Sequence, residues 1–152
     1  MVPKTPAEVL ALILRVGLGA WFVVSGAGKL FVGGLDKFTR DVANYKLVAP
    51  PLDAVVAYTV PWVEIIGGIC LMLHLLRKGT LLAMSSLVLT FCIAVGWAWS
   101  KNLDISCGCH GGDAKLSYWW KAAELAGYLV AFGYLWWVET REGFVKRYSG
   151  GR

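Results

Sequence analysis

The sequence predicts an all-α integral membrane protein, a four-helix bundle with a short amphipathic interfacial helix between its first two spans. Of its 152 residues, 57% are hydrophobic and 16% charged, with a mean hydropathy of +0.59. That is more apolar surface than a soluble domain of this length can bury. The apolar residues gather in four runs, each close to the ~20 residues that cross ~30 Å of hydrocarbon as a helix. The runs lack the alternation of barrel strands, and lipid leaves the backbone few alternatives to a helix. The length favours one domain, residues 1–152.

The first span is expected at 9–28 and contains Arg15. Ser25-Gly26-Ala27 resembles the small-residue site that follows a signal peptide, but Arg15 interrupts the apolar stretch such a peptide needs, so the span is expected to be retained. Leu35, Phe38, Val42 and Tyr45 then fall at helical spacing among charges, which predicts a short amphipathic helix on the membrane surface, stopped by Pro50-Pro51. The second span, 54–76, holds Pro61, Glu64 and His74, and the third, 80–99, is uncharged. The fourth, 119–138, carries Lys121 and Glu124 near its start, and its row Ala123, Gly127, Ala131 suits close helix approach. Trp97, Trp99, Tyr118, Trp119 and Trp120 mark one border, and Trp136 and Trp137 the other.

With four crossings both termini share a side. Seven basic residues stand there (Lys4, Arg77, Lys78, Arg141, Lys146, Arg147, Arg152) and seven opposite (Lys29, Lys37, Arg40, Lys46, Lys101, Lys115, Lys121). The positive-inside count ties. The short, purely basic Arg77-Lys78 turn and the basic tail favour cytoplasmic termini, with the segment before span four outside. The net charge of +5 reads as a topology signal. It does not imply a nucleic-acid partner, because the basic residues are scattered over loops without interleaved aromatics.

Charges inside a membrane belong on the bundle interior. Arg15, Gly19, Phe22, Gly26 and Lys29 share one stripe of span one, Pro61, Glu64, Gly68 and Leu71 one of span two, and Glu124, Tyr128, Ala131 and Leu135 one of span four. Depth counted from the borders predicts the ion pairs Arg15–Glu64 and Lys29–Glu124. Such pairs set helix register or handle protons, and Glu64 is the candidate proton site.

The segment DISCGCHGG carries the chemistry. Cys107 and Cys109 flank Gly108, with His110 beside them. A bent i, i+2 pair can meet the ~4.4–6.8 Å Cα separation of a disulfide. A ring so small is strained, and strained, exposed disulfides exchange readily. As a structural bridge it would close almost no loop and stabilise little. The same three residues, Cys107, Cys109 and His110, are soft ligands suited to Cu(I) or Zn, although they fall short of a closed tetrahedral set. Spacing favours redox chemistry and leaves the metal open. Cys70 and Cys92 lie within spans, where thiols pack as small hydrophobes, and Cys70 with His74 forms an i, i+4 pair for which packing is the preferred reading.

Taken in order, Arg15, Gly26, Lys29-Leu30, Pro61, Glu64, Gly67-Gly68 and Cys107-Gly108-Cys109 resemble the DoxX/MauE family of small four-helix bacterial membrane proteins, nearer its MauE branch. The resemblance covers all four spans. It implies a multi-pass protein of the bacterial inner (cytoplasmic) membrane engaged in thiol–disulfide chemistry outside the cytoplasm, beside a periplasmic thioredoxin-like partner. In methylamine utilisation that branch supports maturation of the disulfide-rich methylamine dehydrogenase. It implies Cys107 and Cys109 as the redox pair, Arg15, Lys29 and Glu64 as the buried polar set, and a quinone as the membrane carrier. The family's usual aromatic after the second cysteine is His110 here, which keeps the metal reading in play. The expected function is membrane thiol–disulfide exchange; the alternatives are a copper-handling protein and a non-catalytic membrane subunit.

Overall fold

The computed structural model describes residues 6–103 and 118–149, with side chains as far as Arg141. The elements are α1 (Pro6–Ala27), extended by a π-helical turn at Gly28–Val32, then α2 (Leu35–Asn44), α3 (Leu52–Met72), α4 (Arg77–Ser100) and α5 (Tyr118–Ser149). No strand occurs among the described residues. Three helices are long and apolar enough to cross a membrane, Pro6–Val32, Leu52–Met72 and Arg77–Ser100. The fourth predicted span forms α5, the longest helix among the described residues, which is not one of these three.

The helices run up and down in chain order. α1 packs on α3, α3 on α4, α4 on α5, and α5 returns to α1. The shared core contains Ala11, Phe22, Leu71, Leu81, Met84, Val88, Leu125, Phe132 and Leu135. Outward faces remain apolar, with Ile13, Val24, Ile66, Ile93 and Val130 all well exposed, as lipid-facing surfaces require.

Glycines set the register of α1 on α3. A methyl group on Gly26 would stand 2.6 Å from the carbonyl oxygen of Pro61, and one on Gly68 2.6 Å from that of Gly19. The backbones therefore meet at these two levels, which only a residue without Cβ permits. The stripe on α5 behaves differently. Ala123 is exposed and a methyl on Gly127 would meet nothing within 4 Å, so this row seats no helix of the described chain, contrary to expectation.

Gly34, at φ 77, turns the chain into α2. The predicted amphipathic helix is present as α2. It packs on α3, with Phe38 and Asp41 buried. The second span ends earlier than the predicted 76, because α3 stops at Met72 and the chain turns through His74 (φ 57) and Leu76 (φ 46) into α4. Cys70 and His74 therefore do not share a helix face. Cys70 and Cys92 are free, partly buried thiols.

Candidate functional site

Lys29 projects from the π-helical turn into the bundle, and its ammonium donates to both carboxylate oxygens of Glu64 at 2.6 Å and to Ser25 Oγ at 2.9 Å. The two side chains are 2% and 1% exposed. A buried charge is costly unless it is paired and fully hydrogen-bonded, and here all three ammonium protons are taken. The rings of Phe38 and Phe91 lie 5.5 and 5.6 Å from the nitrogen and complete the shell.

This arrangement corrects both predicted ion pairs. Glu64 binds Lys29 and not Arg15, because the glycine register puts Glu64 beside Gly26, one turn from Lys29. The long lysine side chain leans back toward its helix N-terminus and spans that turn. Glu124 is engaged by Lys121 at 2.9 Å and by the Tyr128 hydroxyl, in place of Lys29. Arg15 reaches the opposite end of the bundle, where its guanidinium donates to Glu139 at 2.9 Å. Glu139 also meets His74 Nε2 at 3.3 Å and Arg77 at 3.5 Å. Burial, with Arg15 beside it, holds the His74 imidazole below its ordinary 6.5 despite the hydrogen bond to Glu139.

Glu139 is a residue that sequence reasoning missed. The predicted span closed at 138, one position short. The signal was present, since the Glu124, Tyr128, Ala131, Leu135 stripe continues by four to 139.

Two cavities adjoin Lys29. One, of about 30 Å³, is bounded by Trp21, Phe22 and Val88 and by the polar groups of Ser25, Lys29, Glu64, Lys121, Glu124 and Tyr128. The other, of about 250 Å³, lies between α2, α3 and α4; Phe38, Val56, Val60, Leu87, Phe91 and Ala94 form most of its wall, and Asp41, Thr90 and Tyr45 its few polar points. Burial, then the neighbouring Tyr118 and Asp41, push the Tyr45 phenol up to about 12.

Cys107, Cys109 and His110 lie outside the described residues, 104–117. The points where that segment leaves and rejoins the fold are tied together. The Tyr118 hydroxyl donates to the carbonyl of Leu103, Trp99 stacks on Tyr118 (ring centroids 6.0 Å apart), and Trp119 meets Trp99 edge-on at 5.0 Å. Lys121 and Glu124 lie one and two turns below this clamp, so the cysteine segment begins and ends on the bundle end nearer Lys29 and Glu64. Among the described residues, no three His, Cys, Asp or Glu side chains gather as a metal site would require.

The family model described as methylamine utilisation protein MauE matches residues 7–138 of the chain. No curated protein and no solved structure matches it at significant similarity.

Proposed function

The chain belongs to the methylamine utilisation protein MauE family, and from that premise we propose that it is a membrane thiol–disulfide redox protein of the bacterial inner membrane. Cys107 and Cys109 are its redox pair, and a periplasmic thioredoxin-like protein is its exchange partner. The observation that carries this reading is the clamp of Leu103, Trp99 and Tyr118, which fixes both ends of the cysteine segment at one point on the bundle. A cysteine pair in a segment whose two ends are held together is suited to exchange with a partner protein.

The proposal includes four crossings with cytoplasmic termini and kinship to DoxX proteins. The border aromatics support the fourth crossing. Exposed Trp119 and Trp120 precede exposed Trp136 and Trp137 by 17 residues on α5, roughly 25 Å at helical rise, which suits the spacing of two headgroup belts.

Oxidation of the dithiol to the disulfide releases two electrons and two protons. A quinone, when bound, would supply a lipid-soluble acceptor or donor for both. The apolar cavity between α2, α3 and α4 has walls that fit such a ring. Phe38, Val60, Leu87 and Phe91 would hold it and exclude water, while Lys29, committed to Glu64 and Ser25, would hold charge at its edge.

Redox titration of the purified full chain, with Cys70 and Cys92 replaced, tests the reading. We expect one reversible two-electron couple that disappears in Cys107→Ser or Cys109→Ser. Two thiols that never pair under oxidising buffer, or stoichiometric copper held in their place, would overturn it.

A further inference from the structure

The cavity of about 30 Å³ beside Lys29 is large enough to admit water. A water needs two to four polar partners to occupy such a space, and Ser25, Lys29, Glu64, Lys121, Glu124 and Tyr128 all border this one. They form two hydrogen-bonded groups on opposite walls. On the α1–α3 wall, Lys29 holds Ser25 and Glu64. On the α5 wall, Glu124 is held by Lys121 and Tyr128. α4 contributes only Val88 and Phe91 here.

The two carboxylates differ in exposure. The side chain of Glu64 is 1% exposed and that of Glu124 is 24% exposed. Glu124 stands two turns below the clamp at Tyr118, on the side from which residues 104–117 depart. One acid is sealed, the other is partly exposed, and both line the same cavity.

We infer that Glu64 and Glu124 are the inner and outer stations of a proton path bridged by water between α1, α3 and α5. A proton on Glu124 passes to the water oxygen as one of that water's protons passes to the carboxylate of Glu64, and return reverses the transfer. Only O–H bonds form and break, one proton changes carboxylate, and no electron carrier takes part. Tyr128, donating to Glu124, and Lys121 are positioning residues that hold the outer station. The path serves any chemistry at this bundle end that releases or takes up protons, and it involves no cysteine.

Infrared spectroscopy of the full chain in lipid nanodiscs after a pH jump tests it. The Glu64 carboxyl band is assigned by its displacement in Glu64→Asp. We expect Glu64 to equilibrate with bulk pH on the order of a hundredfold more slowly in Glu124→Gln, and more slowly, by less, in Tyr128→Phe, which loses one hydroxyl and carries the test if Glu124→Gln does not fold. Asp41→Asn, on the far side of Lys29 in the apolar cavity, leaves the rate unchanged. Equal rates in wild type, Glu124→Gln and Tyr128→Phe overturn the path. Slowing in Asp41→Asn alone overturns it in favour of a route past α2. A Glu64 that takes up no proton wherever the protein stays folded also overturns it. Because the readout needs neither Cys107 nor Cys109, its failure and that of the thiol reading are separately visible.

Discussion

Lys29 and Glu64, 35 residues apart, meet at 2.6 Å inside the bundle with every ammonium proton accepted. Removing one partner leaves the other charge buried without compensation. Lys29→Met is therefore expected to lower stability by about 3–5 kcal/mol. The double variant Lys29→Met/Glu64→Met, which removes both charges, is expected to recover most of that loss. Thermal unfolding in detergent measures both. A double variant no more stable than the single would show that packing, and not charge, dominates here.

The close meeting of α1 and α3 makes a second expectation. Gly26→Ala places a methyl 2.6 Å from the Pro61 carbonyl oxygen, and neither backbone can yield cheaply. The loss is expected at about 1–3 kcal/mol. Gly127→Ala, which meets open space on α5, is expected to gain about 0.5–1 kcal/mol from helix propensity alone. The same unfolding series compares them, and equal effects would deny the glycine register.

At the other end, Glu139 is the counter-charge of buried Arg15 and also meets His74 and Arg77. Glu139→Gln is expected to cost about 3–5 kcal/mol, and Arg15→Leu/Glu139→Leu less than either single change. A double-mutant cycle on unfolding free energies gives the coupling. Additive effects would mean that the pair carries no specific energy.

His74 supplies a pH dependence. Its native affinity for a proton is below the ordinary 6.5, so the unfolded state binds more protons over that window. Its contribution to stability is present above 6.5 and is lost as pH falls through the native value. The melting temperature is expected to fall on acidification across this range, and His74→Gln to flatten that slope. An unchanged slope in His74→Gln would assign the effect to another group.

Much of the architecture was legible because lipid demands long apolar helices with aromatic borders. α1, α3, α4 and α5 begin within three residues of the predicted spans, and the stripes that contain Arg15, Lys29, Glu64 and Glu124 do face the interior. The pairing of those charges was not legible. Register depends on where two backbones touch, at Gly19–Gly68 and Gly26–Pro61, and depth counted from span borders does not contain that information. Glu139 was lost to a boundary drawn one residue early. The spacing of Leu35, Phe38, Val42 and Tyr45 marked the apolar face of α2 but not the helix it packs on, which is α3. His74 left its helix because the chain takes a left-handed turn there, which periodicity cannot foresee.

The most direct measurement is thiol trapping of Cys107 and Cys109 in intact cells, using a bulky, membrane-impermeant maleimide before and after reduction in a Cys70→Ala/Cys92→Ala variant. Labelling that appears only after reduction is the expected result, since the pair would then be an external disulfide on a protein with cytoplasmic termini. Thiols that label equally without reduction, or that never label until the membrane is opened, would contradict the proposed redox pair or its placement outside the cytoplasm.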